Sequence, residues 1–127
     1  MASPVSFFFT DPDYVINTAV GGTVSILKSA LNAGDQLTSV VITSSIAAIS
    51  GPQEAPYVYT EKDWNTFSEG EVARLGKEAP GPQIYLASKT AAERAFWKFR
   101  ADNKPRFTQT AVNPVYVFSS PGQFVDH

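Results

Sequence analysis

The sequence predicts an α/β fold with a parallel sheet, and two observations carry that prediction. Residues 11–34 and 83–103 have helical periodicity, and they alternate with short β-branched runs at 37–45 and 106–118. These runs are apolar on both faces, which is typical of parallel strands that are buried between helices. The order helix, strand, helix, strand therefore indicates a parallel sheet with flanking helices.

The first helix is predicted to start at Asp11 or Asp13, either of which can cap it, and to stop at Gly34. Gly21 and Gly22 are its weak point, because glycine disfavours the helical state. The residues expected on its apolar stripe recur at helical spacing and are Tyr14, Thr18, Val24, Leu27 and Leu31.

A long loop is predicted over residues 51–82, which are rich in Pro, Gly, Tyr and acidic residues. A short helix within this loop can begin at Asp63 or Asn65. The second long helix is predicted from about Gln83 to Asn103. Its apolar stripe is expected to comprise Tyr85, Ala92, Ala95, Phe96 and Phe99.

A tyrosine and a lysine, Tyr85 and Lys89, are four positions apart near the start of the second helix and therefore share one face of it. The first strand ends in the polar residues 43–45, and residues 113–114, Asn-Pro, interrupt the second strand because proline cannot donate to a ladder. The ligand crevice of a parallel sheet lies beyond the carboxyl ends of its strands. The long loop can bring the second helix alongside that edge, so we expect Tyr85 to face Ser45.

Composition excludes several classes of protein. The net charge of -2, with no run of basic residues, lacks the electrostatic footprint of a nucleic-acid binder. There is no cysteine and the only histidine is His127, so thiol nucleophiles, Ser-His-Asp triads and metal sites built from Cys and His are excluded. No apolar run approaches the roughly 20 residues that span a bilayer. We expect a cytoplasmic protein with no nucleic-acid, metal or membrane partner.

The ordered set TSS, YLASK and NPV resembles the central part of an extended short-chain dehydrogenase/reductase of the NAD-dependent epimerase/dehydratase superfamily. Within that superfamily the helix TAAERAFWKF and the strand VNPVYVF are most similar to dihydroflavonol-reductase-like and yeast-type carbonyl (aldehyde) reductases. The resemblance runs from Ala2 to Phe118. It implies a partial Rossmann-type parallel sheet with flanking helices, and NADP-dependent reduction of an aldehyde or ketone to an alcohol.

Chemistry explains why such a reaction needs these residues. Reducing a carbonyl requires a hydride from a nicotinamide and a proton for the developing alkoxide. A tyrosine becomes a usable proton donor and acceptor when an ammonium one helical turn away favours its phenolate form, which assigns Tyr85 and Lys89. A serine hydroxyl can stabilise the substrate oxygen where negative charge develops. Ser45 is assigned that role, with Ser44 as the alternative, because the family's catalytic serine is the last one of the strand end.

The resemblance also implies a set of residues that bind NADPH. Family members use the lysine to hold the nicotinamide ribose, and the segment after the Asn-Pro dipeptide to contact the nicotinamide. In family members, a stretch that resembles Ala2 and Ser3 passes near the adenosine half of the cofactor. The residues implied in cofactor binding are Ala2, Ser3, Thr43, Ser44, Tyr85, Lys89, Pro114 and Val115.

The sequence also departs from the family pattern. No G-x-x-G-x-x-G turn follows a strand, since Gly21 and Gly22 lie inside a helix pattern, and the family's C-terminal substrate part is missing. We expect one partial NAD(P)-binding domain, in a truncated chain of impaired activity. Its predicted parts are 1–50 (helix and strand ending in TSS), 51–82 (loop), 83–118 (YxxxK helix and NPV strand) and 119–127 (tail).

Alternative functions remain open at this point. A nucleotide-sugar epimerase or dehydratase of the same superfamily would share the Ser, Tyr and Lys residues, and a fragment without catalysis could act by assembly with other chains. The partner of the reductase is a small carbonyl substrate. Because the apolar strands have no flanking strands in this sequence, we also expect self-association or a partner chain that covers the sheet edge.

Overall fold

The computed structural model describes residues 11–53 and 56–114, and the structural statements below refer to these residues. The predicted cofactor-binding residues Ala2, Ser3 and Val115 lie outside them. Five helices and strands follow one another: α1 (Pro12–Asn32), β1 (Ser39–Thr43), α2 (Thr66–Leu75), α3 (Gly81–Asn103) and β2 (Thr108–Val112). Single 3₁₀ turns occur at Gly34–Gln36, Ile46–Ala48 and Gly76–Glu78.

The two strands form a parallel pair, as the sequence predicts. The register runs from Ser39 opposite Thr108 to Thr43 opposite Val112, so both strands end at the same edge. Helices α1 and α3 pack against each other beside this sheet. The fold class is therefore α/β, with a small parallel sheet and flanking helices.

Helix α1 begins and ends where the sequence predicts, but its buried face differs. The Asp11 carboxylate accepts a hydrogen bond from the Tyr14 amide (3.4 Å), and the helix stops just before Gly34, whose φ of 81° suits glycine. Of the predicted stripe, Leu27 is buried and Val24 partly buried, but the prediction is wrong for Thr18, which is exposed, and for Tyr14 and Leu31, which are 68% and 42% exposed. The face that packs on α3 is instead the i, i+4 ridge of Val15, Ala19, Thr23 and Leu27.

The second half of the chain follows the prediction more closely. Helix α2 begins after Asn65, one of the two predicted starts, and α3 begins at Gly81 and ends at Asn103. Of the predicted stripe of α3, Ala92, Phe96 and Phe99 are buried, whereas Tyr85 and Ala95 are partly buried. Two apolar clusters hold the fold together: Val15, Val72, Ala79, Ile84 and Ala87 between the helices, and Leu27, Ile42, Phe96, Phe99 and Phe107 between helices and sheet.

One face of the sheet contradicts the prediction of strands that are buried on both sides. Ile42 is 8% exposed and belongs to the helix-facing cluster, whereas its neighbour Val41 is 63% exposed. Successive strand residues point to opposite faces, so the helices cover only the Ile42 face. Within the described residues, nothing packs on the Val41 face. In that same part of the chain, no helix is long and apolar enough to cross a bilayer.

Candidate active site

The end of β1 leads directly into a tight turn that begins at Ser45. Ser44 continues the strand pairing, since its amide donates to the Val112 carbonyl (2.7 Å). Ser45 is extended and starts the 3₁₀ turn Ile46–Ala48, and its Oγ accepts a hydrogen bond from the Ala47 amide (3.1 Å). That contact uses the serine oxygen as an acceptor, so the hydroxyl hydrogen can still donate to a ligand.

The two polar residues before Ser45 have different surroundings. Ser44 is 5% exposed, and its Oγ has no hydrogen-bond partner among the described residues. Thr43 is exposed and lies on the opposite face of the strand. Thr43, Ser44 and Ser45 are adjacent in sequence but differ in burial and in the direction of their side chains. The buried Ser44 hydroxyl is available to form a hydrogen bond with a ligand.

The end of β2 is tied to the Ser45 turn by Asn113 and Pro114. The Asn113 side chain donates to the Ser45 carbonyl (2.9 Å) and to Oε1 of Glu93 on α3 (2.6 Å). The Pro114 carbonyl accepts from the Ile46 amide (3.0 Å). Asn113 therefore joins the two strand ends to α3, which explains why an amide side chain occurs where the strand stops.

Tyr85 and Lys89 contact each other on α3, as their spacing predicts. The Lys89 Nζ lies 5.6 Å from the centroid of the Tyr85 ring. Lys89 is 7% exposed, and this burial lowers the pKa of its ammonium below the usual 10.5 because it removes hydration from the charged form. The Lys89 ammonium, which carries three hydrogen-bond donors, therefore lies on the same face of α3 as the Tyr85 ring.

Contacts between elements bring the two halves of the candidate site together. Helix α3, which carries Tyr85 and Lys89, packs against the 3₁₀ turn that Ser45 begins. The hydrogen bond from Asn113 to Glu93 fixes the same arrangement from the side of β2. Ser45, Ser44 and Pro114 thus lie on elements adjacent to the helix of Tyr85 and Lys89.

Sequence reasoning missed Glu93, which is 4% exposed and accepts the Asn113 hydrogen bond. Its position was a signal, since it follows Lys89 by four residues and so continues the same helical face. Asn65 was singled out only as a possible helix start. In the structure it is 1% exposed and contacts the turn after Ser45.

A second set of contacts anchors α2 to α3. The Arg94 guanidinium forms paired hydrogen bonds with the Glu69 carboxylate, at 2.9 Å for both Nε to Oε2 and Nη2 to Oε1. It also lies 4.4 Å from the centroid of the Trp64 ring. These contacts hold residues 64–75 against the helix that carries Tyr85.

The buried ammonium predicts a dependence of stability on pH. Because the pKa of Lys89 is lower in the fold than the 10.5 of the unfolded chain, the unfolded chain binds the proton more tightly. At a pH below the pKa that Lys89 has in the fold, its buried charge therefore lowers the free energy of unfolding. This loss of stability disappears as the pH rises from that pKa toward 10.5. Lys89→Met should remove that part of the pH dependence, measured by urea unfolding at neutral and alkaline pH.

The exposed Lys98 on the same helix provides the matched control. Its side chain is 78% exposed, so Lys98→Met should leave the slope of unfolding free energy against pH unchanged. Identical slopes for the wild type and Lys89→Met would contradict a desolvated ammonium at Lys89.

The chain is similar in sequence to known reductases. No family model matches it. It is 36% identical over 123 residues to an aldehyde reductase of Sporidiobolus salmonicolor and 35% identical over 124 residues to an NADPH-dependent methylglyoxal reductase of Saccharomyces cerevisiae. These alignments cover 94% and 92% of this chain. The chain spans about a third of the length of these relatives, at 36% and 35%.

Solved structures agree with the sequence matches. The chain superposes on a crystal structure of yeast methylglyoxal/isovaleraldehyde reductase complexed with NADPH with a TM-score of 0.77 and 34% sequence identity. The superposition covers 93% of this chain and 35% of the reductase.

Proposed function

Because the chain is similar to aldehyde and methylglyoxal reductases over a third of their length, we propose that it belongs to their branch of the short-chain dehydrogenase/reductases and forms part of an NADPH-dependent carbonyl reductase. The reaction is reduction of an aldehyde or ketone to an alcohol. One observation carries the proposal: the contacting pair Tyr85 and Lys89 lies on a helix packed against the turn that Ser45 begins. We likewise propose that residues 1–127 are one partial NAD(P)-binding domain.

The residues present fit a nicotinamide nucleotide. When bound, NADPH supplies the hydride for the carbonyl carbon. Lys89 would hold a ribose hydroxyl, as the family resemblance implies, because its ammonium carries three hydrogen-bond donors. The buried Ser44 hydroxyl, which has no partner in the described part of the chain, would hydrogen-bond the cofactor at the strand end. Pro114 and Thr43 lie at the same end of the sheet, and we extend cofactor binding to Ala2, Ser3 and Val115 by the family resemblance.

Tyr85, Ser45 and Lys89 would carry out the proton chemistry. The Tyr85 hydroxyl donates a proton to the substrate oxygen as the alkoxide develops. The Ser45 hydroxyl donates a hydrogen bond to the same oxygen and stabilises its negative charge. The Lys89 ammonium, which lies 5.6 Å from the centroid of the Tyr85 ring, would attract the negative charge that develops on Tyr85 during the transfer.

A chimera tests the proposed reaction. In this chimera, residues 1–127 replace the matching segment of the Sporidiobolus salmonicolor aldehyde reductase, and NADPH oxidation is followed spectrophotometrically with a panel of aldehydes and ketones. We expect oxidation that depends on both substrate and chimera. A folded chimera that binds NADPH and turns over none of the substrates would contradict the proposed function.

We expect the 127-residue chain by itself to self-associate. Among residues 11–53 and 56–114, the sheet has two strands, and Val41 and Val112 on its outer face are 63% and 50% exposed. An apolar strand pair of this kind favours pairing with another chain. We expect its mass by light scattering to increase with concentration. The variant Val41→Lys should shift the chain toward the monomer, and a wild-type chain that stays monomeric at every concentration would refute the prediction.

A further inference from the structure

A chain of buried and partly buried hydrogen bonds connects the turn of Ser45 to the first turn of the helix that carries Tyr85. Its centre is Asn65, which is 1% exposed. The Asn65 amide nitrogen Nδ2 donates to the Ala47 carbonyl (3.0 Å) and to Ser68 Oγ (2.9 Å). The Asn65 backbone amide donates to the Ala48 carbonyl (2.9 Å). Two atoms of one residue thus hold the 3₁₀ turn that Ser45 begins.

The same chain continues from Asn65 to α3. Ser68 is also 1% exposed, and its Oγ donates to Oε1 of Gln83 (2.7 Å). Gln83 lies in the first turn of α3, two residues before Tyr85. The path from the Ser45 hydroxyl to Tyr85 therefore consists of short polar contacts and about half a helical turn.

The packing around Asn65 leaves little room for adjustment. A Cβ atom added at Gly51 would lie 3.0 Å from Asn65 Oδ1, so the backbone after the Ser45 turn passes directly over this side chain. Side-chain torsions of a buried residue with several hydrogen bonds are fixed by its partners. Asn65 is therefore suited to fix the distance between the turn of Ser45 and α3.

A second link lies on the other side of the Tyr85 and Lys89 pair. Asn113 joins the Ser45 carbonyl to Glu93, which follows Lys89 by four residues. The Ser45 turn is thus attached to α3 both before Tyr85, through Asn65, and after Lys89, through Asn113. Two attachments that flank the pair restrict sliding and tilting of α3 relative to Ser45.

We propose that Asn65, with Ser68, is a positioning residue that sets the Ser45 hydroxyl relative to the Tyr85 phenol. This role rests on the proposed function, because it acts through those two groups. The Tyr85 hydroxyl, which donates the proton, and the Ser45 hydroxyl, which donates a hydrogen bond, must both reach one substrate oxygen. A misplacement of about 1 Å can lower turnover by roughly 100-fold. Asn65 is 1% exposed and would act on the substrate only through these two groups, so its replacement should lower kcat and leave the KM for NADPH unchanged.

The variant Asn65→Ser in the chimera tests this role. Serine caps a helix about as well as asparagine, so α2 keeps its cap, but its shorter side chain does not reach the Ala47 carbonyl. We expect kcat to fall by roughly 10- to 100-fold with no change in the KM for NADPH. The matched control is Asn103→Ser, which removes a similar bond, to the Phe99 carbonyl (3.1 Å), at the far end of α3, and it should leave kcat unchanged.

A second variant removes the other end of the link. Gln83 is partly exposed, so Gln83→Met leaves the buried Asn65 in place and decides the question if Asn65→Ser fails to fold. It should lower kcat in the same way. If Asn65→Ser and Gln83→Met fold and keep kcat within twofold while the Tyr85→Phe chimera is inactive, the positioning role is wrong. The proposed function would not be affected by that result. Full activity of the Tyr85→Phe chimera would instead count against the proposed function.

Discussion

Replacing Tyr85 by phenylalanine in the chimera should lower the rate of carbonyl reduction by roughly 10²- to 10⁴-fold, the usual contribution of positioned proton transfer. The substitution removes one oxygen atom and leaves the ring beside the Lys89 ammonium. The fold should therefore persist, which circular dichroism can verify. The measurement is NADPH oxidation with the panel of aldehydes and ketones.

Tyr14→Phe is the matched control, because it removes the same atom from a tyrosine that is 68% exposed on α1. It should keep full activity. A Tyr85→Phe chimera as active as the Tyr14→Phe chimera would reduce Tyr85 and Lys89 to a structural pair on a helix, and Ser45 would lose its assigned role with them.

The parts of the site that the sequence could predict are the local ones. Tyr85 and Lys89 are four residues apart on one helix, so their contact follows from helical geometry alone. The ends of β1 at Thr43 and of β2 at Val112 follow from the polar residues and the proline that come after β-branched runs. The order of elements and the parallel pairing follow from the same periodicity.

Tertiary contacts decided what the sequence could not predict. The side chains of Tyr14 and Leu31 match a helical stripe, but α3 lies against the neighbouring ridge that contains Val15 and Ala19. Burial of a helix face depends on its partner, and periodicity within one helix does not identify that partner.

The links across the site are also long-range in sequence. Asn65 donates to Ala47 across 18 residues, and Asn113 donates to Glu93 across 20. Local preference explains Asn65 as a helix cap, yet its contact with the Ser45 turn exists only once the long loop has folded back over that turn. The exposed face of Val41 has a similar origin, since β-branched composition predicts a strand but not what covers it.

Cofactor affinity should differ sharply between the 127-residue chain and the chimera. The sequence of this chain contains no G-x-x-G-x-x-G turn, whose backbone amides and helix dipole bind the pyrophosphate in dinucleotide-binding folds. Losing on the order of three such hydrogen bonds, at about 1 kcal/mol each, weakens binding by about 100-fold. We expect the chain to bind NADPH at least that much more weakly than the chimera, as measured by titration of NADPH fluorescence.

Lys89→Met shows whether the remaining binding occurs at the candidate site. The Lys89 ammonium is the charged group assigned to the cofactor, so its loss should weaken NADPH binding by the chimera and abolish any binding by the 127-residue chain. Lys98→Met, on the exposed side of the same helix, should change neither affinity. Micromolar affinity of the 127-residue chain would contradict the prediction, since it would mean that the strand ends and α3 bind the nucleotide without a glycine-rich turn.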